Sequence, residues 1–176
     1  MFGGGNIDSK SKHYYVDYMS NYAFIDAQNL YLAIKDSGWS LDYKKFRQYL
    51  MDKYKVEIAY LFIGYVPVNT DIYLTLQKQG YVLIFKEALE LKNKTTKGNC
   101  DAELVLQAMI DYSDYDKAVI VSGDGDFACL IRYLYNKNKL EIILVPNKAK
   151  YSILIKKTAK ERIDFISNLR KKLEYI

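Results

Sequence analysis

The sequence predicts an α/β protein, a three-layer α/β/α sandwich around a central parallel sheet. Short apolar runs alternate with segments of helical spacing along most of the chain. Strands separated by helices pair in parallel through right-handed crossovers. Runs such as Ala118-Val119-Ile120-Val121 are apolar at every position, which fits strands covered on both faces. The 176 residues, half of them apolar, make one domain with a substantial core.

The elements follow in order. Residues 1 to about 20 are polar and glycine-containing without clear periodicity, and are expected to form a flexible N-terminal arm ahead of a domain over 21–176. Tyr22 to Asp26 is a short apolar run closed by an acid, a buried strand. Asn29 to Ser37 has helical spacing and stops at Gly38. Leu41 to about Lys53 is a second helix with Phe46, Leu50 and Met51 on one face. Val56 to Ile63 is the second strand, and Gly64 to Asn69, with Pro67, is a turn. Thr70 to Gln79 is helical up to Gly80, and Tyr81 to Phe85 is the third strand. Lys86 to Asn99 is a lysine-rich connection. Asp101 to Tyr112 repeats apolar residues at helical spacing (Ala102, Val105, Leu106, Met109). Lys117 to Val121 is the fourth strand, Ser122 to Asp126 a tight turn, and Phe127 to about Lys137 a helix. Leu140 to Val145 is the fifth strand, closed by Pro146. Beyond it, helix-like and mixed stretches alternate through Ile153–Lys157 and Phe165–Leu173.

Composition narrows the chemistry. His13, in the polar N-terminal segment, is the single histidine, so a Ser-His-Asp triad, a His-rich zinc site or an imidazole acid/base would need a tail residue. Cys100 and Cys129 are the two cysteines and form no CxxC. The chain start resembles no secretory signal, and no stretch approaches the roughly 20 apolar residues of a membrane span. A cytoplasmic setting without membrane attachment is the expectation. Formal charge is +5, and residues 146–176 hold nine Lys/Arg against three acids, so the basic excess sits at the C-terminal end. Clustered positive charge is the footprint of a polyanion partner, and equally of a solvated helix face. Lysines outnumber arginines 22 to 4, which favours phosphate contacts over bidentate reading of base edges. The 18 tyrosines, including Tyr22, Tyr60, Tyr73 and Tyr133, are read mostly as core and boundary packing.

Carboxylates remain as the chemistry. Ligands of open parallel sheets sit beyond the carboxyl ends of the strands. Asp26 ends the first strand, and Asp124 and Asp126 follow the fourth. If those strands are central neighbours, the three acids converge, and Asp101 can join them from the start of its helix. Taken singly, Asp101 and Asp126 also read as first-turn acids opposing a helix dipole, and Asp124 as a turn former. As a set, like charges about 4 Å apart repel by roughly 4 kcal/mol at an effective dielectric near 20. Without interleaved His or Arg, such a set calls for a cation or strongly raised pKa values, and hard oxygen donors suit Mg²⁺ or Mn²⁺. Asn29, one helical turn after Asp26, can hold a carboxylate, a water or a phosphate oxygen, or can cap the helix. Gln28 and Ser122 are weaker supporting candidates, and Glu103 reads as a surface group.

Three segments carry a family resemblance. Phe24-Ile25-Asp26-Ala27-Gln28-Asn29-Leu30 resembles the "IDgqNL" signature of NYN domains, the LabA-like branch of the PIN-like nuclease superfamily. Lys97-Gly98-Asn99-Cys100-Asp101 is similar to that family's "KGvDv" segment, and Val121-Ser122-Gly123-Asp124-Gly125-Asp126-Phe127 to its "SGDsDF" motif. Ile163-Asp164-Phe165-Ile166 resembles a short C-terminal "aD.FI" element. Together the matches span about residues 20–170 in the expected order. The resemblance implies a Rossmann-like PIN fold with strand order 3-2-1-4-5, an Mg²⁺ or Mn²⁺ site, and hydrolysis of RNA phosphodiester bonds. It carries Asp26, Asp101, Asp124 and Asp126 over as acidic metal ligands and Asn29 as their polar partner. Cys100 and Gly125 depart from the family pattern without removing a ligand.

The function expected is therefore a metal-dependent ribonuclease acting on single-stranded or structured RNA. Ser122 and the lysines Lys94, Lys97, Lys148 and Lys150 are the candidates for contact with the phosphate backbone. The alternative is an RNA-binding or regulatory module that keeps the acidic pocket but cleaves weakly. A homodimer suits so small a domain, although no motif carries it. A haloacid-dehalogenase-type phosphatase wants an Asp-x-Asp where residue 28 is Gln, a receiver domain spaces its acids differently, and no GxGxxG follows the first strand.

Overall fold

The computed structural model describes residues 20–87, 89–90, 96–97 and 100–176. The N-terminal arm expected over residues 1–20 therefore lies, apart from Ser20, outside the described residues. At the centre of the sheet is β1 (Asn21–Asp26), flanked by β2 (Val56–Tyr65) and β4 (Ala118–Val121). Beyond β2 lies β3 (Tyr81–Glu87), and beyond β4 lie β5 (Leu140–Val145) and β6 (Ile163–Phe165). The order is 3-2-1-4-5-6, with every pairing parallel. Five strands in the expected order are present, and a sixth extends the sheet. The sequence reading left β6 within a mixed stretch, because three residues with an acid at the middle lack any apolar run. A further antiparallel pair joins 89–90 to 96–97.

Alternation along the strands builds two cores. On one face Ala23, Ile25, Leu61, Val119 and Val121 pack against α1 (Ala27–Asp36), α2 (Tyr43–Tyr54) and α7 (Arg170–Leu173), with α3 (Thr70–Lys78) adding Leu76. On the other, Phe24, Phe62, Ala118 and Ile120 pack against α4 (Asp101–Ile110), α5 (Ala128–Asn136) and α6 (Ile153–Ala159). Each large apolar side chain fully buried there contributes about 1.5–3 kcal/mol. All four residues of β4 are buried, as its unbroken apolar run requires. Of the tyrosines read as packing, Tyr73 is buried, but Tyr133 is 42% exposed with its ring 5.9 Å from Tyr112.

Local chemistry sets the element ends. Asp42 caps α2 by accepting from the Lys45 N–H. Gly80, at φ +90°, turns the chain out of α3 into β3, a conformation that a side chain would strain. Buried Asn21 donates to the Tyr54 carbonyl and accepts from the Lys117 N–H, tying the end of α2 to the start of β4. Asp164 on β6 accepts from the Lys53 ammonium at 2.9 Å and the Tyr54 hydroxyl at 3.4 Å, locking the C-terminal motif to α2. Among the described residues no helix is long and apolar enough to cross a membrane.

Candidate metal centre

Parallel pairing of β1 with β4 aligns Ile25 with Val121, so the next residues, Asp26 and Ser122, leave the sheet side by side. Asp26 caps α1: its Oδ1 accepts from the Asn29 N–H at 3.0 Å. The helix thus begins two residues before Asn29, and the cap is the acid rather than the amide. Asn29 uses its Oδ1 to accept from the Gly123 N–H at 2.9 Å, stapling α1 to the loop after β4. Ser122, fully buried, donates to Asp26 Oδ2 at 3.2 Å and accepts from the Asp124 N–H at 3.1 Å. Asp124 Oδ1 in turn accepts from the Asp126 N–H, capping the single 3₁₀ turn Gly125–Phe127.

Asp101 enters from a different part of the chain, as the first residue of α4. Carboxylate oxygens of Asp101, Asp124 and Asp126 all lie within 4.8 Å of one another. Asp26 borders this group. Burial pushes its carboxyl up and the Asp101 and Asp124 charges add to the rise, against the Asn29 N–H and the Ser122 hydroxyl. Asp26, Asn29, Cys100, Asp101 and Asp124 line a cleft of about 270 Å³. The Cys100 thiol is pushed up to about 11 by burial, reinforced by Glu103, Asp26 and Asp101 and opposed by Lys86. The donors that meet are carboxylate oxygens, a set that suits Mg²⁺ or Mn²⁺.

The expected lysines are distributed differently. Lys94 lies outside the described residues, and Lys97 is described only as backbone of the short antiparallel pair. Lys150 follows β5 near the loop of Gly123, with its ammonium 3.4 Å from Asp36 and both side chains largely exposed. Lys148 sits 5.5 Å over the Phe165 ring, toward the β6 edge. A cation the sequence reading left in a loop is Lys86: β3 continues through it, opposite Gly64 of β2. Lys86 pairs with Glu103 of α4 at 3.3 Å, so Glu103 is an ion-pair partner beside the site rather than a solvated surface group. Gly125 also has a local cause. A Cβ there would run into the Ser152 hydroxyl and approach Ser152 Cβ to 3.0 Å, and that hydroxyl caps α6 through the Leu154 N–H.

The NYN domain family matches residues 22–165. The chain belongs to the NYN domain family. NYN domains form a PIN-like nuclease family, and the match runs from β1 through β6. The "Low amplitude and bright protein LabA" of Synechococcus elongatus is 27% identical over 124 residues, 65% of this chain and 67% of that protein. A crystal structure of a protein of unknown function from Vibrio parahaemolyticus shares the fold, with a TM-score of 0.73 at 22% identity. That alignment covers 90% of this chain and 98% of the neighbour. In this NYN domain the three motifs occupy the β1–α1 junction, the start of α4 and the loop after β4, which is where the acids meet.

Proposed function

We propose that this NYN-domain protein hydrolyses RNA phosphodiester bonds with Mg²⁺ or Mn²⁺ held by Asp101, Asp124 and Asp126. The observation that carries the reading is the meeting of Asp101, from the start of α4, with the Asp124/Asp126 pair within 4.8 Å. Turn formation accounts for Asp124 and helix capping for Asp26, but neither calls for a third acid from another segment. These carboxylates would hold a divalent ion, which would supply acidification of the attacking water and neutralisation of charge growing on the phosphate. Asp26 and Ser122 fix the Asp124 loop, and Asn29 holds Gly123, so the acids are set before substrate arrives. Lys150 guides the backbone: its exposed bridge to Asp36 is worth only about 0–1 kcal/mol, so a phosphate can take the place of Asp36. Lys94, Lys97 and Lys148 are proposed to contact the same strand.

Single-stranded RNA labelled at its 5′ end should be cut in Mn²⁺ or Mg²⁺, spared in EDTA, and spared by Asp101→Asn. RNA that is bound but left intact by the wild type in both metals would overturn the nuclease assignment in favour of a binding module.

A further inference from the structure

A second concavity adjoins the acidic cleft. It is an open groove of about 880 Å³ between α1, β2 and α3, floored by Leu61, Ile63 and Leu76. Gln28 and Gly64 line both the groove and the cleft, so the two are continuous across the carboxyl ends of β1 and β2. Gly64 keeps that junction low, since a Cβ built there meets nothing within 4 Å.

We propose that this groove receives an unpaired nucleobase of the strand whose phosphate enters the acidic cleft; the inference rests on the RNA reading above. Four features select this occupant. The rim carries the rings of Tyr31, 54% exposed, and Tyr175, 69% exposed, and exposed aromatic faces are the usual platforms for unpaired bases. The lining holds no Lys or Arg, and its charged members are Asp42 and Asp71, so it repels a phosphate and admits a flat neutral ring. The side-chain amides of Gln28 and Asn69, both on the lining, make no hydrogen bond among the described residues. They offer paired donors and acceptors to a base edge, and every base presents such an edge when unpaired. The cation that a nucleotide also needs lies just outside, with the Lys35 ammonium 5.7 Å from the Tyr31 ring centroid.

The test uses a fluorescein-labelled single-stranded RNA carrying one abasic nucleotide, moved stepwise along the strand. Binding is read by anisotropy in Ca²⁺, and cleavage in Mn²⁺, for the wild type, Tyr31→Leu and Gly64→Leu. Tyr31 is exposed and Gly64 faces open space, so both variants should melt like the wild type. Stacking on one ring predicts at least about a fivefold loss of affinity in Tyr31→Leu. The wild type should lose a similar factor when the abasic nucleotide sits at one position next to the cut, and Tyr31→Leu should not. Gly64→Leu, which closes the junction, should behave like Tyr31→Leu. RNA that is bound and cut with equal tolerance of abasic nucleotides at every position, and equally by the variants, overturns the base groove and leaves the nuclease reading standing. RNA neither bound nor cut by the wild type overturns both. A concentration-dependent dimer that Tyr31→Leu dissociates, with RNA affinity unchanged, would assign the groove to a second copy of the chain and overturn the proposal.

Discussion

Replacing Asp124 by Asn should make the metal-free protein more stable and the metal-bound protein less so. Oxygens of Asp101, Asp124 and Asp126 lie within 4.8 Å of one another. Two unit charges at that separation repel by about 0.9 kcal/mol in water and about 3.5 kcal/mol at an effective dielectric of 20. Asp124 faces two such neighbours, one of them exposed and the other half-buried, which places the pairs near the watery limit and the total near ~2 kcal/mol. The substitution keeps an oxygen to accept from the Asp126 N–H, so the local turn survives. At about 2–4 °C per kcal/mol for a chain of this length, Asp124→Asn in EDTA should melt about 4–8 °C higher. Mn²⁺ at about 100 times its Kd stabilises the wild type by about 2.7 kcal/mol, and the variant by much less, so the order of melting temperatures inverts. Differential scanning fluorimetry across a Mn²⁺ titration reads both limbs. A variant that melts lower in EDTA and gains as much from Mn²⁺ as the wild type would refute the argument, leaving the acids as turn formers.

Asp26→Asn should retain more of the Mn²⁺ shift than Asp124→Asn, because both Asp26 oxygens already accept hydrogen bonds inside the fold and it stands outside the three-acid group. Equal loss in the two variants would make Asp26 a ligand of the same rank. Gly125→Ala pushes a methyl group into Ser152 and should cost about 1–3 kcal/mol, as overpacking does; thermal melting checks it, and an unchanged midpoint would show that the α6 cap yields freely. Asp164 is pushed up by burial but held below its ordinary value overall by the Lys53 ammonium, the Phe165 N–H and the Tyr54 hydroxyl. A depressed carboxyl stabilises above its unfolded value near ~3.9 and loses that contribution as pH falls through the folded one. Asp164→Asn should therefore melt below the wild type at pH 7, with the gap closing as the pH drops through and below the ordinary Asp range; a gap independent of pH would mean lost packing instead.

Much of this fold was legible because parallel strands buried on both faces have to be apolar at nearly every position. Val119, Ile120 and Val121 announce themselves without periodicity, and so do Phe24 and Ile25. What was not legible lay where a few residues are recruited by neighbours. Ile163–Phe165 becomes a strand because Ile143, Leu144 and Val145 offer an open edge beside it, a cause absent from its own three residues. The start of α1 was misplaced because Asp26 reads as the end of a strand and is at once the cap of the next helix. The acids themselves were legible as a convergent set, since strand ends and sheet order bring them together. The ion pairs of the lysines were not, because a long side chain's partner is set by what folds beside it. Lys86 turned toward Glu103 and Lys150 toward Asp36, and neither choice is written in spacing.

The doubling of roles at Asp26 and Asp124 explains how so short a set of loops can hold like charges close. Each carboxylate accepts a backbone N–H at the start of a helical turn, where the unsatisfied amides and the local dipole favour negative charge. Those contacts offset part of the repulsion before any cation arrives, and they fix each side chain in one rotamer. Ser122 joins the two systems by donating to Asp26 while accepting from the Asp124 N–H, so a shift at one strand end is passed to the other. Part of the cost of crowding the acids is thus met by backbone amides that the α/β crossovers expose. This economy is why Asp26 and Asp124 sit on the β1–α1 and β4–α5 junctions, where capping and charge clustering call for the same residue type.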